Sequence, residues 1–376
     1  MSGERFKRWL PEGGAMLSRR ALGGLVSGAA LALGKTDLAG AKKKKKKKKK
    51  KGGGSGNGCP ACQANEVCLN NACSRFRFVT RWGGFGSGPN AFNVPRGIAI
   101  NDEGVLYVCD GNNDLVKMFD TDGTFIDSWG GEGTGDGQFE GPEGIAFDSL
   151  GFVYVADGEN DRVQKFTASG EFQDQWGSFG TGNDRFDFPV GIAVDGDDNV
   201  YVADVGNDRV QKFTSEGVYV ATLGGPGEDD GEFFGPWGIA IDGTAVYITD
   251  AGNHRVHEFT TAGAHVDTWS GFGFGDGQLV DPRGIAVGID GTLFVADGNK
   301  RIQQFTSGGE FITRWGSQGT AIGTFSQPED IAVDADGNLY ITDSEVEKYA
   351  PVEANRRLAS ESRIRQPRGT QRKGAR

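Results

Sequence analysis

The sequence predicts an all-β chain folded as a six-bladed β-propeller of four-stranded blades, its ring closed by N-terminal strand 76–82. Three observations predict it. First, the segments "PRGIAI", "PEGIAF", "PVGIAV", "PWGIAI", "PRGIAV" and "PEDIAV" begin at Pro95, Pro142, Pro189, Pro236, Pro282 and Pro328, spaced 47, 47, 47, 46 and 46 residues apart. Second, each copy divides into short β-type segments separated by turn residues, the spacing expected of a closed array of small sheets. Third, the sixth copy has three such segments instead of four. A fourth-segment sequence, within "RFVTRWGGFG" at Arg77–Gly86, stands alone ahead of the first copy.

Each element of the repeat follows from its residues. The first segment runs from the proline, and a turn such as "DGDDN" (Asp195–Asn199) follows it. The second segment ends in Asp110, Asp157, Asp204, Asp250, Asp297 or Asp343. A third segment of the "DRVQKFT" type comes next, then a Gly-containing turn, then a fourth segment ending in Trp129, Trp176, Leu223, Trp269 or Trp315. These segments are apolar on both sides, as strands covered on both faces are. One copy alone cannot bury such faces, so neighbours must stack around a ring. A composition with 63 Gly and 25 Phe but only 3 Met fits a turn-rich β protein. The sixth copy ends at "VEKYAP" (Val346–Pro351), and Phe76–Trp82 supplies its missing outer strand, which ties the ring shut and removes a loose edge.

The motif "P-x-G-I-A-V-D…G-N-V-Y-V-A-D…N-D-R-V-Q-K-F…G", repeated in register over residues 76–350, resembles the NHL-repeat family of six-bladed propellers. The resemblance implies the propeller fold. It leaves the function wide, because that family includes secreted enzymes, sensor domains and RNA- or protein-binding modules.

Charge is segregated along the chain. Residues 1–75 carry 17 Lys/Arg against 4 Asp/Glu, residues 76–350 carry 15 against 45, and residues 351–376 carry 8 against 2. Residues 1–41 read as an export signal that resembles the twin-arginine type. Arg19 and Arg20 precede a weakly apolar Ala21–Gly34, and "AGA" at Ala39–Ala41 marks a cleavage site; an ordinary secretory signal is the alternative. That apolar stretch is too short to span a bilayer, so the mature chain is expected to lack a transmembrane segment and to be extracellular or associated with the cell surface. Residues 42–58 hold the ten lysines Lys42–Lys51 and a Gly/Ser linker. The lysine arm suits anionic lipid or cell-surface polymer, a fold back onto the acidic body, or simple spacing. Residues 59–75 form a Cys-rich mini-module in which Cys59, Cys62, Cys68 and Cys73 fit two disulfides, a zinc site or a redox pair. An exported setting favours disulfides. Residues 351–376 are a basic tail of the composition that stays disordered.

Within the repeats, the twelve-residue loops from the fourth segment to the next proline (Gly83–Val94 and Gly224–Gly235, for example) open on the same end of the ring as the Asp…Asn-x-Arg turns. Binding groups are expected on that end. Asp157, Asp204 and Asp250 with Arg162, Arg209 and Arg255 recur and read as architecture. The Asp195–Asn199 and Asp334–Asn338 stretches read as hairpin turns, and Cys109 as a small buried thiol. Sites should lie where the copies differ. The position after each proline reads Arg96, Glu143, Val190, Trp237, Arg283 and Glu329, with Asp330 in place of the glycine of the other copies. This channel rim is the candidate site for a protein, peptide or polar ligand.

No catalytic constellation is visible. His254, His257 and His265 all fall in one copy and cannot converge on the axis, which argues against propeller lyases that hold zinc with histidines. No cofactor is predicted, although calcium on the channel carboxylates Glu143, Glu329 and Asp330 stays open, and with it a metal-dependent hydrolase or lyase. Nucleic acid is an unexpected partner for a body with a net charge of −30 over residues 76–350. A monomeric binding or scaffold module is the first reading.

Overall fold

The computed structural model of the chain describes residues 66–69 and 72–352, with side chains from Arg75 onward. The export signal, the lysine arm, Cys59 and Cys62, and nearly all of the basic tail lie outside the described residues. Those described form six antiparallel sheets, five of four strands and one of five, and match the predicted six-bladed ring.

Blade one comprises β3 (Pro95–Ile100), β4 (Leu106–Asp110), β5 (Leu115–Phe119) and β6 (Phe125–Gly130). Blade two comprises β7 (Pro142–Phe147), β8 (Val153–Asp157), β9 (Arg162–Phe166) and β10 (Phe172–Trp176). Blade three comprises β11 (Pro189–Val194), β12 (Val200–Asp204), β13 (Arg209–Phe213) and β14 (Tyr219–Leu223). Blade four comprises β15 (Pro236–Asp242), β16 (Ala245–Asp250), β17 (Arg255–Thr260) and β18 (His265–Trp269). Blade five comprises β19 (Pro282–Val287), β20 (Leu293–Asp297), β21 (Arg301–Phe305) and β22 (Phe311–Trp315). The first strands line the axis and the fourth strands form the rim of the disc.

Blade six is assembled from both ends of the described chain. Its order is β1 (Glu66–Leu69), β2 (Ala72–Trp82), β25 (Val346–Pro351), β24 (Leu339–Thr342) and β23 (Asp330–Val333). Phe76 faces Pro351 and Trp82 faces Val346, so the closing strand pairs along its whole predicted length. It also begins earlier than predicted, at Ala72, and β1 pairs against it. The boundary drawn between the Cys-rich segment and the propeller is therefore crossed by a continuous strand. An exposed outer edge recruits whatever extended chain lies next to it. Cys68 and Cys73 are directly opposed in this pairing.

The core lies between blades rather than within them. Each buried cluster mixes residues of two neighbours, as Tyr154 and Val163 of blade two do with Val200 and Val202 of blade three. The tryptophans explain the hairpin glycines. At Gly170, φ is +84° and an added Cβ would lie 2.4 Å from Trp129 Cγ of the preceding blade, so only glycine fits under that indole. Blade six has no such hairpin before its fourth strand. There Trp315 of blade five stacks on Phe76 at 5.2 Å between ring centroids.

Candidate functional site

The axial site is built from the first-strand glycines outward. At Gly97, Gly144, Gly191 and Gly238 an added Cβ would fall 1.9–2.5 Å from a backbone carbonyl oxygen of the next blade. Those glycines let the inner strands close to van der Waals distance and leave a narrow axial cavity of about 50 Å³. It is lined by Arg96, Glu143, Val190, Trp237, Glu329 and Asp330, together with these glycines. Six of the seven predicted rim residues thus meet around one space that holds a few water-sized groups.

Arg283 is the exception. It does not line the cavity; its guanidinium lies 4.9 Å from the Trp237 ring centroid and is ion-paired to Glu329, with Asp281 3.4 Å away. On the other side, Arg96 Nη1 lies 2.6 Å from Glu143 Oε1 and donates to Oε2 at 2.8 Å. Both pairs join successive blades. The sequence carried a signal for them, since an arginine is followed one repeat later by a glutamate in each case, 47 and 46 residues on. Without the fold, the rim position of either partner did not imply a pair. The Nε atoms of Arg96 and Arg283 are buried without a hydrogen-bond partner.

Asp330 replaces glycine because the sixth blade starts differently. In the other five blades a bulge separates the bridge made by the proline from the one made by the isoleucine of β3, β7, β11, β15 and β19. In blade six the strand begins at Asp330 itself, paired with Thr342, and has no bulge. Its carboxylate accepts from the Ile98 amide at 3.0 Å, which joins blade six to blade one. Thr342 Oγ1 donates to the Arg96 carbonyl across the same junction at 2.6 Å.

Loss of solvent pushes the Asp330 carboxyl up to about 7, against the Ile98 amide that lowers it. Burial likewise raises Glu143 to about 7, offset in part by Arg96. Both groups keep a proton in the native state that the unfolded chain releases near pH 4. Their contribution to stability is therefore full below about pH 4 and is lost as pH rises through about 7. Asp330→Asn, which retains an acceptor for Ile98, is expected to flatten this fall. Denaturant midpoints at pH 4.5, 6 and 7.5 measure it, and an unchanged slope would show that Asp330 ionises normally.

The recurring aspartates have the architectural role expected of them. Asp157 accepts from the Glu140 amide at 2.9 Å and from Arg162 Nε at 2.8 Å, while Arg162 also donates to carbonyls of Thr134, Gly135 and Gln138. Asp204 and Arg209 repeat the arrangement in blade three, as do Asp250 and Arg255 in blade four. Each pair therefore pins a twelve-residue loop onto its blade. Asp195 closes its hairpin by accepting from the Asp197 and Asn199 amides at 3.0 and 2.9 Å. Cys109 is fully buried, and burial pushes its thiol well above the usual range, as suits a packing residue.

The repeat motif matches a known family in five of the six blades, all but blade five. The NHL repeat is found at residues 92–119, 139–166, 186–213, 233–259 and 325–346. With six blades in a ring, the chain is an NHL-repeat β-propeller. No curated protein matches the sequence. Among solved structures, it is similar to a streptogramin B lyase at 16% identity, with 73% of this chain and 97% of that one covered and a TM-score of 0.51. A gluconolactonase from Xanthomonas campestris is similar at 17% identity, 77% and 95% coverage and a TM-score of 0.53. A chain of a nidogen/laminin complex is similar at 17% identity, 71% and 92% coverage and a TM-score of 0.52. These likenesses establish the propeller and no activity.

Proposed function

We propose that the protein is an exported binding propeller that takes a small polar ligand, or the polar end of a peptide, at the long-loop mouth of its channel. The observation that carries this reading is the rim itself: the Arg96–Glu143 pair, Glu329, Asp330 and the half-buried Trp237 around one axial cavity, with the Arg96 Nε–H left unpaired. A carboxylate or carbonyl of the ligand would accept from Nε, its own donors would meet Asp330 or Glu143, and its apolar part would lie on the indole. The rim departs from the repeat at several positions, whereas the loop-pinning aspartate recurs in every blade and is paired with arginine in blades two to five, and this separates recognition from architecture.

The test is calorimetric titration of the purified chain with short peptides and polar metabolites. Trp237→Ala is expected to weaken any ligand found by at least tenfold while leaving the thermal midpoint nearly unchanged. Equal affinity in the two chains would place the binding surface elsewhere.

A second reading has its own observation. Glu143 and Asp330, each held near 7, are poised for proton transfer at neutral pH, and with Glu329 they form a carboxylate set that a propeller hydrolase or lyase would use, with or without calcium. Retention of stoichiometric calcium after dialysis, lost in Asp330→Asn, would favour it.

The lysine arm would hold such a module at anionic lipid or wall polymer, each lysine near the surface adding about 1 kcal/mol. Among the described residues no helix is long and apolar enough to cross a membrane. Salt-sensitive co-sedimentation with phosphatidylserine vesicles, abolished by deleting residues 42–51, is the expected result.

A further inference from the structure

Blade four carries all three histidines of the chain, and two of them replace residues that most other blades share, although Lys117 and Glu347 hold the place of His257 in blades one and six. His257 stands in β17 where β9, β13 and β21 have Gln164, Gln211 and Gln303. His265 opens β18, where the fourth strands of the other hairpins open with Phe125, Phe172, Tyr219 and Phe311. These independent replacements meet. His257 is paired with Thr268 and Phe259 with His265, and the bulge between them leaves Val266 as the extra residue. That bulge brings His265 and Thr268 onto the face of the sheet that His257 occupies.

His257 Nδ1 lies 3.4 Å from His265 Nε2, and Thr268 Oγ1 lies 3.0 Å from the first nitrogen and 2.8 Å from the second. On the other side of its ring, His257 Nε2 is 3.2 Å from Asp250 Oδ2. The carboxylate accepts there, so the proton sits on Nε2 and the lone pair of Nδ1 points at His265. When His265 carries its proton on Nδ1, both facing imidazole nitrogens are acceptors and the Thr268 hydroxyl has one hydrogen for the two of them. A zinc ion at its ordinary distance of about 2.0–2.1 Å from two imidazoles in a tetrahedron sets their nitrogens about 3.4 Å apart. The Asp250–His257 contact is the carboxylate–histidine arrangement that orients metal-binding imidazoles. His265 and Thr268 are only half-buried, which leaves a path from solvent.

We propose that His257, His265 and Thr268 form a site for a divalent imidazole-preferring metal, zinc or copper, on the flank of blade four, completed by water. Among the described residues no three His, Cys, Asp or Glu side chains gather for a metal, so this is an open chelate and not a closed structural centre. His254 takes no part; its Nδ1 accepts from the Asp281 amide at 3.0 Å and its ring packs on Phe272.

Sister blades supply the controls. His257→Gln and His265→Phe restore the residues of the neighbouring repeats and should fold. The full chain, stripped with chelator, is titrated with zinc by calorimetry, and its melting is followed with and without the metal. Each variant is expected to bind one zinc fewer per chain than the wild type and to lose the metal-induced rise in thermal midpoint. Copper should give nitrogen hyperfine splitting in the wild type that weakens in both variants. The same zinc stoichiometry and the same thermal shift in all three chains would overturn the proposal, whatever the cysteines bind.

Discussion

Gly191→Ala is expected to destabilise the propeller by roughly 3 kcal/mol or more, seen as a lower denaturant midpoint with the far-ultraviolet β signal intact below it. The added methyl would lie 1.9 Å from the Trp237 carbonyl oxygen and 3.0 Å from its carbon, and both atoms belong to the innermost strand of the next blade. A side-chain end can rotate away, but here the backbone itself is the obstacle. Relief therefore requires blades three and four to separate at the axis, which would loosen the cluster of Tyr201, Ala203, Ile239 and Ile248 between them. Gly196→Ala is the control. It sits in the next turn of the same blade with nothing within 4 Å of an added Cβ, and its substitution is expected to leave stability unchanged or slightly higher. Equal losses in both variants would mean that the cost comes from the chain and not from the closeness of the blades.

A chain that begins at Gly83 is expected to be insoluble or to unfold at ordinary temperature, whereas one that begins at Ala72 is expected to melt close to the full-length protein. The shorter chain lacks β2, which covers an edge whose six residues, Val346–Pro351, are all buried. It also loses Phe76 and Phe78, buried against Phe294, Trp315 and Tyr349. Each phenylalanine truncated to Ala would alone cost roughly 3–5 kcal/mol. Losing the strand also exposes a long unpaired edge, a template for aggregation. Size-exclusion chromatography and thermal melts of the two chains decide the matter. A monomeric, cooperatively melting chain from Gly83 would show that the ring closes without its N-terminal strand.

The repeat made the fold legible. Six prolines at near-constant spacing, strand pairs apolar on both sides, and three segments in the last copy were enough to place the closing strand, because stacking blades is how such a repeat buries both faces. The site was legible only as a set of positions. Arg96, Glu143 and Trp237 stood out because the copies differ there, yet the sequence placed Arg283 in the same ring, and the structure sets it behind Trp237 and Glu329. The histidines show the same limit. Their shared blade argued against a zinc site on the axis, and the spacing of 257 and 265 says nothing of a meeting on one face until the bulge at Val266 is known.

What the sequence by itself determined is the number of blades, their order and the way the ring is tied, since each follows from a period and from one missing strand. The tertiary structure alone decided which side chains meet: Arg96 with Glu143, Arg283 with Glu329, Asp330 with the Ile98 amide, and His257 with His265. The physical reason is one of range. Strand and turn preferences act over a few residues and repeat with the period. These meetings depend instead on how closely the inner strands approach and where one strand bulges, which only packing of the whole ring sets.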